Sequence, residues 1–134
     1  MQVRALSDTL STTGQIAVED LPAIQAQGFK SILICRPDGE GDQPPSQTIA
    51  GAAEKLGLTT AYVPFNMGQN PGEILPDFAA QAGALEGPTL GYCKSGMRVA
   101  VLWALSQRGK LSADEILKAG ADAGYDLSMI APAL

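Results

Sequence analysis

The sequence predicts an α/β fold with a mainly parallel sheet flanked by helices. Three observations predict it. Short runs rich in β-branched and apolar residues recur down the chain, longer runs of helix formers follow them, and glycine or proline punctuates nearly every junction. The chain has 134 residues, the size of one ordinary domain, and shows no linker, repeat or low-complexity segment. Residues 1–134 are therefore read as a single domain.

Short strands are expected near Val3–Leu6 and Gly14–Ile16. Glu19 to Gln27 reads as a first helix: acidic residues open it, Pro22 lies in its first turn and Gly28 ends it. Phe29 to Cys35 is a strong strand candidate, and Arg36 to Ser46 is a long, turn-rich loop. Thr48 to Lys55 is a helix ending at Gly57. Thr59 to Phe65 is a strand with Ala61, Val63 and Phe65 on one face. Asn66 to Pro71 is a loop, and Glu73 to Leu85 a helix interrupted early by Pro76. Pro88 to Tyr92 suits a short buried strand, and Val99 to Leu105 a helix ending near Gly109. Ser112-Ala113-Asp114-Glu115 is a capping box that opens a helix to about Lys118, and a short helix and tail follow from Ala121.

Composition excludes whole classes of function. The net charge is −5 with no basic run, so nucleic acid is not an expected partner. No apolar run approaches the ~20 residues of a membrane-spanning helix. The N-terminal residues lack the apolar core of a signal peptide, so a cytoplasmic protein is expected. There are two cysteines, Cys35 and Cys93, and no histidine. Histidine-based triads, Cys-His dyads and histidine metal sites are excluded, and two cysteines do not build a structural zinc site. Neither a metal nor another cofactor is expected.

The chemistry concentrates in Cys93-Lys94-Ser95-Gly96-Met97-Arg98, at the junction of an expected strand and helix. The first N–H groups of a helix have no intrahelical partner, and the helix dipole adds partial positive charge there. Successive inward N–H groups form an anion cradle, in which a cysteine is stabilised as the nucleophilic thiolate. Gly96 lets the loop turn through positive φ. Arg98 offers a planar fork for two oxygens of an oxyanion. Lys94 and Ser95 are candidates to attract or donate to the anion. Ligands of parallel sheets bind beyond the carboxyl ends of the strands, so the Arg36–Ser46 loop belongs on the same rim. There Asp38 is equally suited to acid–base work and to ordering the loop through Arg36. Tyr92 and Trp103 read as packing residues, and Phe65 and Met67 as either core or site mouth.

Gly14-Gln15-Ile16, Arg36-Pro37-Asp38-Gly39-Glu40, Gln43-Pro44 and Tyr92 to Arg98 occur in that order over nearly the whole chain. In these motifs the chain resembles the small bacterial family described as the phosphatase-like domain of beta-lactamase-hydrolase-like proteins, also labelled a sulfur transferase family. The resemblance implies a fold like the dual-specificity, cysteine-dependent phosphatases. It also implies Cys93 as nucleophile and Arg98 as anion ligand. The chain departs from the phosphatase pattern in four places. Four residues rather than five separate Cys93 from Arg98. Tyr92 stands where phosphatases usually have histidine, and Val99 where they have a hydroxyl residue. The stretch Phe65 to Asn70 lacks the expected general-acid aspartate, and the nearest, Asp77, falls in an expected helix.

The six-residue loop is similar to that of rhodaneses. The leading expectation is therefore a sulfurtransferase that moves sulfane sulfur from thiosulfate or a persulfide, through a Cys93 persulfide, to a small thiol or other acceptor. The alternative is a phosphatase acting through a Cys93 phospho-intermediate, and the third reading is a non-enzymatic oxyanion or persulfide sensor. In the implied fold the strands ending at Cys35 and Cys93 are neighbours. That makes Cys35 a candidate redox partner, against the simpler reading of a small apolar strand residue.

Overall fold

The structure, a computed structural model, describes residues 1–66 and 68–134. Its strands are β1 (Arg4–Ala5), β2 (Leu10–Thr13), β3 (Ser31–Ile34), β4 (Thr59–Tyr62) and β5 (Thr89–Tyr92). The helices are α1 (Leu21–Ala26), α2 (Ser46–Lys55), α3 (Pro71–Ala84), α4 (Met97–Ser106) and α5 (Ala113–Asp122), with 3-10 turns at Val18–Asp20 and Ser128–Ala133. The strands form one sheet in the order β1-β2-β5-β3-β4. Among the described residues only the β1–β2 pair is antiparallel. This is the mainly parallel, helix-flanked α/β fold that the sequence predicts.

Alternation along the central strands divides the core in two. Ile32, Ile34, Leu90 and Tyr92 face α1 and α2, where Leu21, Ile24, Ile49 and Ala53 meet them. Leu33, Cys35 and Cys93 face the other way, into a cluster with Phe78 of α3, Val99, Leu102 and Trp103 of α4, and Ile116 of α5. All four residues of β3 and of β5 are buried, as befits parallel strands covered on both faces. Each fully buried leucine or isoleucine contributes roughly 1.5–3 kcal/mol of transfer free energy. Tyr92 and Trp103 are buried, in keeping with the packing role expected of them.

The position of α4 depends on a missing side chain. A Cβ on Gly91 of β5 would meet Val99 Cγ1 at 2.8 Å, closer than real Cβ atoms approach. Glycine lets Val99 lie directly against the strand, and Val99 is fully buried there. The residue that departs from the phosphatase pattern thus has a packing reason for being apolar.

Several boundaries differ from expectation. The second strand is Leu10–Thr13, not Gly14–Ile16. Its buried Thr12 and Thr13 make it look like a polar loop in sequence, whereas its pairing with β5 uses only backbone groups. The first helix is split, a 3-10 turn preceding α1, with the Asp20 carboxylate accepting from the Ala17 N–H at 2.8 Å. Helix α2 begins at Ser46 rather than Thr48. Helix α3 starts at Pro71, capped by Asn70 Oδ1 accepting from the Gly72 N–H at 2.9 Å, and it runs through Pro76 without a break. The expected capping box is present: Ser112 Oγ accepts from the Glu115 N–H at 3.1 Å and Glu115 Oε1 from the Ser112 N–H at 3.0 Å. It opens a helix that runs to Asp122, past Lys118, and the final turn is Ser128–Ala133.

The fit between Gly91 and Val99 gives a direct test. Gly91→Ala should destabilise by about 1–3 kcal/mol, the range for overpacking a tight core. Adding Val99→Ala should recover part of that loss, since it removes the clashing methyl groups. Thermal melts of the two single variants and the double variant read the non-additivity.

Candidate active site

Parallel register sets the site. Thr13 and Ile34 both pair with Tyr92, so three strands end level. The residues just beyond, Gly14, Cys35 and Cys93, then lie side by side at the carboxyl edge. Cys93 opens the loop that leads into α4 and is fully buried. Its Sγ accepts from the Gly96 N–H at 3.1 Å. Gly96 has φ 91°, the left-handed conformation expected of it, and precedes the first helical residue, Met97. The Met97 N–H donates to Ser95 Oγ at 3.4 Å, while Lys94 and Ser95 are exposed on the rim.

The loop is held from outside. The Gln15 N–H donates to the Lys94 carbonyl at 3.3 Å, and a Cβ on Gly14 would come within 2.9 Å of the same oxygen. The Tyr125 hydroxyl lies 3.4 Å from the Ser95 carbonyl and 2.6 Å from the buried Thr12 hydroxyl.

Arg98, on the first turn of α4, spends its fork on a carboxylate. Nη1 donates to Glu40 Oε2 at 2.8 Å and to the Phe65 carbonyl at 2.8 Å, and Nη2 donates to Glu40 Oε1. Arg36 holds the other side of Glu40: Nε donates to Oε1 at 3.3 Å and Nη2 to the Glu40 carbonyl at 2.7 Å. Arg36 Nη1 reaches Gln15 Oε1 at 3.1 Å. The Arg98 hydrogen bonds, and then Arg36, hold the Glu40 carboxyl below its ordinary 4.5, against a smaller upward push from burial. In return Glu40 holds Arg98 above its ordinary range. The charge of Cys93 adds to this, and burial works against it.

The remaining sequence candidates fall into place unequally. Asp38 does not face acid–base work: its Oδ1 accepts from the Ser46 N–H and its Oδ2 from the Ser46 hydroxyl, both at 2.7 Å. It orders the loop through the start of α2 and not through Arg36, which Glu40 engages. Cys35 lies one step beyond the last registered β3–β5 pair, and its N–H donates to the Tyr92 carbonyl at 2.9 Å. Burial, then the charge of Cys93, pushes the Cys35 thiol well above its ordinary range while Arg98 pulls it back, so Cys35 is a neutral thiol. Phe65 is core, contributing its carbonyl to Arg98. Met67 lies outside the described residues. Asp77 sits on α3 and is exposed, as expected of a helix position. A surface cleft of about 480 Å³ lies near Leu10, Phe78, Thr89 and Trp103, and no residue of the Cys93–Arg98 loop lines it.

Sequence reasoning missed Glu40, Gln15, Thr12 and Tyr125 as parts of this site. Glu40 stood in plain view within Arg36-Pro37-Asp38-Gly39-Glu40, but its partner is 58 positions away. A carboxylate four residues after Arg36, on the rim that also carries Arg98, was the signal available.

Comparison with known proteins now bears on this geometry. The profile of the family described as "Beta-lactamase hydrolase-like protein, phosphatase-like domain" matches residues 2–110. The chain belongs to this family. Beta-lactamase hydrolase-like proteins of Agrobacterium fabrum and Xylella fastidiosa are each 32% identical to it, over 130 and 131 residues. These alignments cover 95% of the chain but only 30% of those relatives, so the chain spans under a third of their length. A crystal structure from Neisseria meningitidis, provisionally described as a phosphatase, superposes with TM-score 0.87 at 27% identity, covering 99% of this chain and 96% of that one. The core catalytic domain of the PP-IP phosphatase SIW14 from S. cerevisiae superposes with TM-score 0.72 at 15% identity, covering 96% and 80%. The likeness to SIW14 is one of fold alone. The family member described here is thus a phosphatase-fold protein. Among the described residues no helix is long and apolar enough to cross a membrane.

The Glu40 network has a pH signature. A carboxyl whose folded value is depressed adds stability above its unfolded value and loses it as pH falls through the folded one. Glu40 therefore stabilises at neutral pH and stops doing so in acid below 4.5. Glu40→Gln should cost about 1–2 kcal/mol near neutrality. The gap to wild type should close as melts are taken into acid. A gap of constant size at every pH would remove the charge from the account.

Proposed function

We propose that the protein is a cysteine-dependent hydrolase acting on phosphate groups with good leaving groups, such as aryl phosphates or phosphoanhydrides. The observation that carries this is the buried Cys93 Sγ accepting from the Gly96 N–H at the start of α4, beside Arg98, on a phosphatase fold. In the proposed cycle the Cys93 thiolate attacks phosphorus, an S–P bond forms and the P–O bond to the leaving group breaks. Loop N–H groups and Arg98 bear the oxygens as charge builds. Water then attacks the phosphocysteine, the S–P bond breaks, and inorganic phosphate leaves with Cys93 restored as thiolate. The incoming anion competes with Glu40 for Arg98, since both Nη groups are engaged by it.

The leaving-group restriction follows from the missing acid. Protonating a poor leaving oxygen is worth ~10²–10⁴-fold, and Phe65 to Asn70 offers no acidic side chain. Asp38 is committed to Ser46, and Arg98 holds Glu40 in its ionised form, with no proton to give. A leaving group that departs as a stable anion needs neither. The same reasoning supports a second reading, rhodanese-like sulfur transfer, because sulfite also leaves as an anion. The loop of six residues and the apolar Val99 favour it. The family and the fold neighbours weigh toward the phosphatase, which reverses the order expected from the loop alone.

The two readings part in kcat/KM. p-Nitrophenyl phosphate should be turned over faster than thiosulfate, and phenyl phosphate much more slowly than its nitro analogue. Cys93→Ser should lose on the order of 10³-fold or more. Mass spectrometry of the Cys93 peptide during turnover should find phosphorus. Sulfur on Cys93, with thiosulfate the better substrate, would establish the second reading. Activity surviving in Cys93→Ser would place the nucleophile elsewhere.

Cys35 is read as a guard of the nucleophile. Hydrogen peroxide converts the Cys93 thiolate to a sulfenic acid, with hydroxide leaving. The neighbouring Cys35 thiol gives its proton to the hydroxide just released and attacks that sulfur as thiolate, hydroxide leaves and a disulfide forms. After mild peroxide, non-reducing peptide maps of wild type should contain a Cys35–Cys93 peptide, and Cys35→Ala should over-oxidise at Cys93 faster. Equal over-oxidation in both, without that peptide, would leave Cys35 as packing.

A further inference from the structure

The loop that cradles the anion is a run of peptide planes, and each plane must be turned the right way. A trans peptide is planar, so its C=O and N–H point in opposite directions. The Gly96 N–H that donates to Cys93 Sγ belongs to the same plane as the Ser95 carbonyl. That carbonyl therefore points away from the sulfur, and the group it meets is the Tyr125 hydroxyl, 3.4 Å away. The preceding plane is held likewise. Its carbonyl, Lys94 O, accepts from the Gln15 N–H on the outside, which turns the Ser95 N–H to the opposite side.

Tyr125 is itself pinned. It is 6% exposed, its hydroxyl is 2.6 Å from that of fully buried Thr12, and the Arg4 guanidinium lies 5.7 Å from its ring centroid. The Arg4 Nη1 donates to the Ala123 carbonyl at 2.9 Å, fixing the segment that carries Tyr125. A Cβ on Gly96 would overlap the Tyr125 hydroxyl, so glycine is required here by the neighbour as well as by φ. Tyr125 follows α5, beyond the residues 2–110 that the family profile matches.

We propose that Tyr125 is a positioning residue of the active site: its hydroxyl, oriented by Thr12, holds the Ser95–Gly96 peptide with its N–H toward Cys93. The proposal rests on the reading of Cys93 as nucleophile. It does not depend on whether phosphorus or sulfur is transferred. Loss of the hydroxyl frees the carbonyl, and the plane then spends part of its time rotated, with an oxygen where a donor belongs.

The test uses Tyr125→Phe, which keeps the ring and its packing, and Thr12→Val, which keeps shape and removes the orienting hydroxyl. Arg98 with its partner Glu40, Lys94, Tyr92 and Cys35, the other titratable or charged groups about Cys93, are unchanged in both. Alkylation of Cys93 by iodoacetamide, followed on its own peptide across the pH range where thiols titrate, reports thiolate character. Protection of Cys93 by tungstate reports the anion cradle. In both variants the alkylation profile should move to higher pH. Tungstate should protect about fivefold less well, the weight of one oriented hydrogen bond. Melting temperatures should stay near wild type, and Thr12→Ser should restore both readouts. Wild-type alkylation profiles and wild-type tungstate protection in both variants would overturn the proposal and leave Tyr125 as packing. Neither readout uses turnover, so failure of the phosphatase reading would be seen separately.

Discussion

The site depends on where the β5 ladder stops. Strand β5 is bonded on both sides in parallel, to β2 and β3, and both partners run out opposite Tyr92. Parallel strands that end level deliver three chain segments to one edge, and here they are Gly14-Gln15, Cys35-Arg36 and Cys93-Lys94. Each then contributes what a strand end can: a backbone donor, an arginine and a cysteine. The alternation of the pleat sends Cys35 and Cys93 toward α4 and Tyr92 toward α2. A slip of one residue would exchange these faces and take the sulfur away from the helix N-terminus.

Electrostatics at that edge is a matter of balance. Arg36 and Arg98 both address Glu40 Oε1, so two guanidinium groups are brought close to one another. Their repulsion is offset by the carboxylate between them. The pair joins a loop after β3 to a helix after β5, so the charge balance and the loop conformation are set together. With its side chain 28% exposed, Glu40 meets solvent on one side and two arginines on the other. It can yield its place on Arg98 to another anion without being driven into the core.

Local signals were legible in the sequence and distant ones were not. The apolar strands β3 and β5, the capping box at Ser112 and the Cys93–Arg98 loop each announce themselves within a few residues. Strand β2 did not, because Leu10-Ser11-Thr12-Thr13 pairs through its backbone while Thr12 spends its hydroxyl on Tyr125. Buried hydroxyls of that kind read as a loop unless the partner is known. Pro76 was expected to interrupt α3, yet the helix carries it on an exposed face. Glu40 and Tyr125 escaped for one reason: their partners are 58 and 113 positions away in the chain, and no local pattern records such a distance. Asp38 drew attention equally as an acid–base group and as a residue that orders the loop, because its type and place suited both. Only the position of Ser46 shows that its oxygens are already engaged.

The order of strands in space has a consequence for how the chain comes to exist. The middle strand of the sheet is the last to be made. While a ribosome is still short of residue 89, β3 can pair with β4 and β1 with β2, but nothing joins the two halves. Closing that gap brings together residues about 80 positions apart in the case of β2 and β5, so it is deferred until the cost of a long loop can be repaid at once. When β5 inserts, it completes the sheet, and the Cys93–Arg98 loop follows it directly. The sheet thus closes late in synthesis, while Tyr125, which meets the loop after β5, is still to be made. A nascent chain halted before that step would show unpaired strand edges.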